Sequence, residues 1–147
     1  MNNLVDSLGQ CTTGTIKLDR KEQQALLQCL DDSNSQQIIL DGSGFGVEGA
    51  GVLRDVLWKL ESLSYLDLVD NAFGVEEAGN IAGCLGQCKS LIVLKLRYNQ
   101  FGDEGVRRLA LGQWFVKSLS YLDLAANAIG VEGTEVLGEL LKKIKAL

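Results

Sequence analysis

Histidine and proline are absent from this chain of 147 residues, which has a single methionine and only 6% aromatic residues. Without histidine the commonest general base and metal ligand is missing, so an enzyme is hard to assemble and no metal or cofactor is expected. Without proline, strands and helices can alternate along the whole chain without interruption. There is no N-x-S/T sequon, residues 1–14 lack a basic and apolar leader pattern, and no stretch approaches the ~20 apolar residues of a membrane span. Clustered positive charge is scarce as well, since the only basic cluster is Lys142-Lys143 with Lys145 and the formal charge is −5. That balance argues against nucleic acid or an anionic membrane as the main partner. The four cysteines, Cys11, Cys29, Cys84 and Cys88, lack the spacing of a disulfide framework or a zinc site. They are expected to be buried reduced thiols, which favours a cytoplasmic protein or one delivered into a host cytosol.

What is present is repetition. Ser62-Leu63-Ser64-Tyr65-Leu66-Asp67-Leu68 recurs letter for letter as Ser118-Leu119-Ser120-Tyr121-Leu122-Asp123-Leu124, 56 residues later. Midway, Ser90-Leu91-Ile92-Val93-Leu94-Lys95-Leu96 keeps the three leucines, so the underlying period is 28 with an alternating fine structure. Each block runs on to an asparagine and a bulky apolar residue: Asn71 and Phe73, Asn99 and Phe101, Asn127 and Ile129. A fixed period in this range marks a solenoid of one strand and one helix per turn, and 46% hydrophobic content is enough to give it a continuous core.

The chain opens on an amphipathic helical pattern over residues 1–12, either a cap or the back half of a repeat, because Leu8-Gly9-Gln10-Cys11 matches Leu85-Gly86-Gln87-Cys88. Repeat units follow over about 13–34, 35–62, 63–90, 91–118 and 119–147. Strand alternation puts Leu66 and Leu68 in the core and turns Tyr65, Asp67 and Val69 outwards. The asparagine at each strand end is expected to bond backbone groups of the neighbouring turn. Gly74, Gly102 and Gly130 are expected to make the sharp turn into each helix. Ala78, Ile81, Ala82 and Leu85, or Val106, Leu109 and Ala110, then face the sheet. Strands ~4.8 Å apart on one side and helices ~10 Å apart on the other force curvature, with the sheet concave.

The motif L-x-x-L-x-L-x-x-N-x-φ-G at a 28-residue period resembles the leucine-rich repeats of the ribonuclease-inhibitor type, over about residues 13–147. The 56-residue alternation is similar to the paired repeats of that subfamily. The resemblance implies an α/β right-handed solenoid, a short horseshoe with a parallel sheet on the concave face and helices on the convex face. It also implies protein recognition through that concave sheet. Ribonuclease inhibitors, Ran GTPase-activating proteins, innate-immune receptors and tropomodulins share the fold, and effectors secreted by bacteria into host cells borrow it. The fold does not name the partner.

Function is sought where the core does not dictate the residue. On the concave face and the ascending loops beyond it these positions are Tyr65, Asp67, Val69, Asp70, Lys95, Arg97, Tyr98, Tyr121 and Asp123. The middle column across the strands reads Lys17, Ile39, Asp67, Lys95, Asp123. It can serve as a cross-strand charge ladder contributing ~0.2–1 kcal/mol per pair. With the tyrosines and Arg97 it also has the composition of a binding hot spot. Trp58 and Trp114, again 56 residues apart, read either as flanks packed on a neighbouring helix or as a convex patch. Gly42-Ser43-Gly44-Phe45-Gly46 lacks the Gly-Lys-Ser/Thr ending of a phosphate loop and falls at a repeat turn.

The reading is an interaction module, a scaffold that holds a protein partner by occupancy and does no chemistry, with an effector role as one expectation. Two alternatives stand beside it. One is GTPase activation of the Ran-activator type, since Asp70-Asn71-Ala72-Phe73-Gly74 resembles a segment of those proteins; the other is a structural spacer. Self-association through the open C-terminal end near Leu141, Ile144 and Leu147 is a further expectation.

Overall fold

Three-residue strands at intervals of 28 build the first layer. In the computed structural model, which describes residues 36–58, 60–112 and 118–145, they are β1 (Gln37–Ile39), β2 (Tyr65–Asp67), β3 (Val93–Lys95) and β4 (Tyr121–Asp123). They lie side by side in sequence order, all parallel, with Ile38, Leu66, Leu94 and Leu122 in one row and Ile39, Asp67, Lys95 and Asp123 in the next. Between them come α1 (Gly46–Leu57), α2 (Val75–Leu85), α3 (Gly102–Leu111) and α4 (Val131–Lys145), each packed on the next along the second layer. The N-terminal helix and the first unit read from the sequence lie outside the described residues.

The core fills the space between the layers as the periodicity requires. Leu63, Leu66 and Leu68, then Leu91, Leu94 and Leu96, are buried with Phe45, Phe73 and Phe101 behind them. From the helices come Leu53 and Leu57, Ala78, Ile81, Ala82 and Leu85, Val106 and Leu109, all buried. At ~25 cal/mol per Å² of apolar surface, each fully buried leucine or phenylalanine contributes roughly 1.5–3 kcal/mol before chain entropy is set against it.

After each strand a residue stands in the left-handed region, again at a spacing of 28: Gly42, Asp70, Tyr98 and Ala126, with φ between 54° and 63°. Only the first is glycine, so at the others the turn is held against a cost of ~1–2 kcal/mol by the surrounding hydrogen bonds. The entry to the helices alternates at 56 residues. Gly46 and Gly102 take positive φ and begin their helices directly after Phe45 and Phe101. Gly74 does not; it is extended, at φ −104°, and the positive φ falls instead on Ala72, as it does on Ala128. The expectation that a glycine makes every sharp turn therefore holds at Gly102 and is corrected at Gly74 and Gly130, where the chain enters its helix one residue later.

That later entry needs its own caps. The buried Glu77 reaches back, its Oε2 accepting from the Gly74 N–H at 2.8 Å. At the corresponding place in the last unit stands Gly133, which has no side chain to offer. There Asp103 of α3 crosses between units, its Oδ1 accepting from the Gly130 N–H at 2.6 Å and the Gly133 N–H at 3.0 Å. A carboxylate at a helix N-terminus satisfies orphan donors and meets the positive end of the dipole.

Cys84 and Cys88 are buried and free, and burial pushes both thiols up to about 11. Because the folded value lies above the usual value of 9.0, the neutral thiol is the form that folding favours. This stability is fully present below the unfolded pKa and is lost as pH rises towards 11. Alkylation of these two cysteines at pH 8 is expected to be at least ~100-fold slower in the folded chain than in urea, as read by mass spectrometry of the labelled peptides. Equal rates in both states would show that the thiols are not enclosed.

Candidate functional site

The sheet face away from the helices carries the odd-numbered strand residues, and the parallel register brings them into rows. Tyr65, Val93 and Tyr121 form one row, and Ile39, Asp67, Lys95 and Asp123 the next. Lys95 therefore stands between two aspartates, as the column read from the sequence requires, but it sides with one of them. Its Nζ lies 3.2 Å from Asp67 Oδ2, whereas Asp123 makes no ion pair with it. The Tyr65 hydroxyl donates to the same Oδ2 at 3.3 Å, the Val69 N–H donates to Oδ1 at 3.2 Å, and the Lys95 ammonium sits 5.2 Å from the centre of the Tyr65 ring.

Asp67 is thus buried although it points away from the core, because Tyr65 and Lys95 close over it. The Tyr65 hydroxyl, and after it the Asp67 carboxylate, hold the Lys95 pKa above the usual lysine value, so this cation is permanent. Asp41 beside the cluster has its pKa raised, by burial first and then by the carboxylates of Asp67 and Asp70, with Lys95 opposing. A carboxylate that accepts from a phenol, an ammonium and a backbone amide has little freedom to move. The result is a rigid surface element.

The loops leaving the strands extend this surface. Arg97 donates from Nη2 to the Tyr98 hydroxyl at 3.1 Å and lies 4.6 Å from the centre of its ring. Tyr98, held at φ 55°, is 53% exposed, and Ile39 and Tyr121 on the sheet are each 50% exposed. Asp70 is exposed at the equivalent place one unit earlier. The nine residues singled out in the sequence therefore divide. Tyr65, Asp67 and Lys95 form one closed cluster, with Val69 donating to it through its backbone, and Arg97 and Tyr98 form a second, more exposed pair. Tyr121 and Asp123 repeat the sequence of Tyr65 and Asp67 and keep the backbone bond, the Ala125 N–H donating to Asp123 Oδ1 at 3.0 Å, but not the tyrosine and lysine contacts.

The asparagines belong to the framework instead. Asn71 is 0% exposed; its Nδ2 donates to Leu40 O at 2.8 Å and Val69 O at 3.0 Å, while its Oδ1 accepts from the Phe45 N–H at 3.2 Å. It cannot also reach into a partner's active site, and of the Asp70 to Gly74 segment only Asp70 and Ala72 are exposed.

On the helical side Trp58 is 61% exposed, so it is not a flank packed against the next helix; Trp114 lies outside the described residues. Sequence position alone could not separate these cases, since a helix end can face either the neighbouring helix or water. A wide groove of about 1240 Å³ runs between α3 and α4, and most of its rim charges are paired: Arg107 with Glu104 and Glu132, and Lys142 with Glu139. Among the described residues no group of three His, Cys, Asp or Glu is placed to hold a metal ion, and no helix is long and apolar enough to cross a membrane.

Comparison with known proteins agrees with this architecture. Residues 87–110 and 117–138 match the family model described as leucine rich repeat. No curated protein matches the sequence. Two solved structures resemble the chain over most of its length. One is of leiomodin-1 actin-binding site 2, with TM-score 0.71 and 16% identity, covering 88% of this chain and 77% of that one. The other is the tropomodulin C-terminal domain of Caenorhabditis elegans, with TM-score 0.68 and 18% identity, covering 87% and 77%. At these identities the likeness is one of fold: a short leucine-rich-repeat solenoid.

Proposed function

We propose that this leucine-rich-repeat chain is a protein-interaction module of the ribonuclease-inhibitor type. It binds its partner on the open sheet face and the loops that leave it, and acts by occupancy without chemistry. The observation that carries this reading is the set of large side chains left half exposed on one side of a rigid sheet. Ile39, Tyr121 and Tyr98 stand there beside the exposed Arg97 and Asp70. Monomeric surfaces seldom leave aromatic, arginine and aliphatic groups clustered on a preorganised element, and such clusters concentrate binding energy in a few anchors. The 28-residue register, the full helices and the 56-residue alternation in the helix entries support the subfamily assignment. Delivery into a host cell as an effector is a role this surface would serve, as is scaffolding in a larger cytoplasmic assembly.

The test is capture from cell lysate by the chain beside a Tyr65→Ala, Arg97→Ala, Tyr121→Ala variant that melts at a similar temperature, with purified actin as a defined arm because one similar structure is of an actin-binding site. A protein held by the chain and lost by the variant, with affinity reduced at least ~10-fold as expected for removing anchor residues, supports the open face. Equal retention by both would move the interface to the helical side, around Trp58. A GTP-hydrolysis assay with small GTPases tests the activator alternative, which would now depend on Asp70.

A further inference from the structure

Tyr98 is the residue that folding accounts for least. It holds the left-handed turn after β3 at φ 55°, a place taken by Gly42, Asp70 and Ala126 in the other described units. Glycine and aspartate tolerate that backbone and alanine is small, whereas a side chain as bulky as tyrosine is an outlier there. The core gains nothing from the ring, which is 53% exposed. The turn is bonded on both sides through backbone alone, the Tyr98 N–H donating to Ala125 O at 3.1 Å and the Asp70 N–H to Arg97 O at 3.0 Å. What the ring does hold is Arg97. Its hydroxyl accepts from Arg97 Nη2 at 3.1 Å and its centre lies 4.6 Å from the guanidinium carbon, while the other guanidinium N–H groups have no partner among the described residues. Because β2 and β4 flank β3 on both sides, these surroundings do not depend on where the array stops. The residues one unit before and after Arg97 are Val69 and Ala125, which offer it no carboxylate. Lys95, the other cation of this segment, is already paired with Asp67. Arg97 is therefore a positioned cation that lacks its anion.

We propose that the Arg97 and Tyr98 pair receives one aspartate or glutamate side chain of the protein partner. This assignment rests on the open face being the binding face, and adds to it the chemistry of what binds. A guanidinium matches a carboxylate through parallel N–H donors, and one already held against a ring loses little freedom on meeting it. Tyrosine and arginine are also among the residue types in which binding energy concentrates. The carboxylate comes singly. Asp70, exposed at the equivalent place in the preceding unit, and Asp123 on β4 would repel an acidic run, so neutral or basic residues flank it in the partner. The strained turn fits this role, because a residue that costs stability and buries little is retained for what it touches outside the chain.

The test is selection from a displayed library of random peptides on the full chain, with Arg97→Gln and Arg97→Glu chains panned in parallel. Peptides taken by the parent are expected to share one Asp or Glu between neutral or basic residues. A synthetic copy should lose at least about tenfold in affinity when that acid becomes its amide, and as much on Arg97→Gln. The Arg97→Glu chain is expected to select Lys or Arg at the same place. Tyr98→Gly is expected to melt no lower than the parent, since it relieves the turn, yet to bind the peptide at least about tenfold more weakly. A selection without an acidic residue, the same selection on Arg97→Gln, no enrichment at all, or a Tyr98→Gly chain that melts well below the parent would each overturn the assignment. The open-face reading survives those results if a captured protein is still lost by the triple variant. Equal binding of the selected peptide to the triple variant would overturn both.

Discussion

Asn99→Ala is expected to destabilise the chain by roughly 3–5 kcal/mol, seen as a fall in the urea midpoint, because one side chain holds three segments of backbone. Its Oδ1 accepts from the N–H groups of Asn71 at 3.2 Å and Phe73 at 3.0 Å, in the preceding unit. Its Nδ2 donates to Leu68 O at 3.0 Å, Leu96 O at 2.9 Å and Arg97 O at 3.3 Å. Alanine leaves several of these groups buried without partners, in a place too enclosed for water to replace the amide. Asn99→Asp separates the two halves of the bonding. It keeps an accepting oxygen but sets a second oxygen against three carbonyls, so the buried carboxyl has a raised pKa. The damage is therefore present at neutral pH and diminishes as pH falls and the carboxyl takes up a proton with which to donate. Asn127→Ala should cost less. Asn127 makes the same kind of donor bonds, to Leu96 O at 2.8 Å, Leu124 O at 3.0 Å and Ala125 O at 3.2 Å, but its buried Oδ1 has no partner to lose. Equal midpoints for Asn99→Ala and the parent chain would refute the bracing role.

Gly105→Ala is expected to cost about 2–3 kcal/mol, although alanine is ordinarily the better helix former. A Cβ at Gly105 would lie 2.7 Å from the Cβ of Phe101, which is fully buried and fixed to the start of α3. The same holds 56 residues earlier, where a Cβ at Gly49 would lie 2.5 Å from that of Phe45. Neither clash can be relieved by a rotamer change, because both atoms are set by the backbone. Gly83→Ala is the control of opposite sign. It lies within α2, a Cβ there meets nothing within 4 Å, and the substitution should stabilise by ~0.5–1 kcal/mol. Thermal melts of the three variants check the set; Gly105→Ala as stable as Gly83→Ala would show that Phe101 can move. The same geometry explains the glutamate at position 77. In that unit the helix begins after Gly74 and not after Phe73, so the fourth residue from the phenylalanine has room for a side chain, and Glu77 uses it to cap the helix.

The periodic part of this protein was determined by the sequence alone. The leucines at fixed offsets, the asparagines and the phenylalanines each have one place that satisfies both burial and backbone bonding, so strand, register and core could be read from spacing. The inward faces of the helices and the buried Cys84 and Cys88 follow from the same arithmetic. What only the tertiary structure decided lies between units. Tyr65 with Asp67 and Tyr121 with Asp123 are identical in sequence, yet the first pair is sealed by Lys95 and the second stands open. Asp103, unremarked in its own helix, caps the next one, and Trp58 faces water where packing against the next helix was the alternative. The physical reason is that each unit of a solenoid is completed by its neighbour. A local pattern fixes which side chains leave the core, while the group each one meets belongs to a chain segment some 28 residues away.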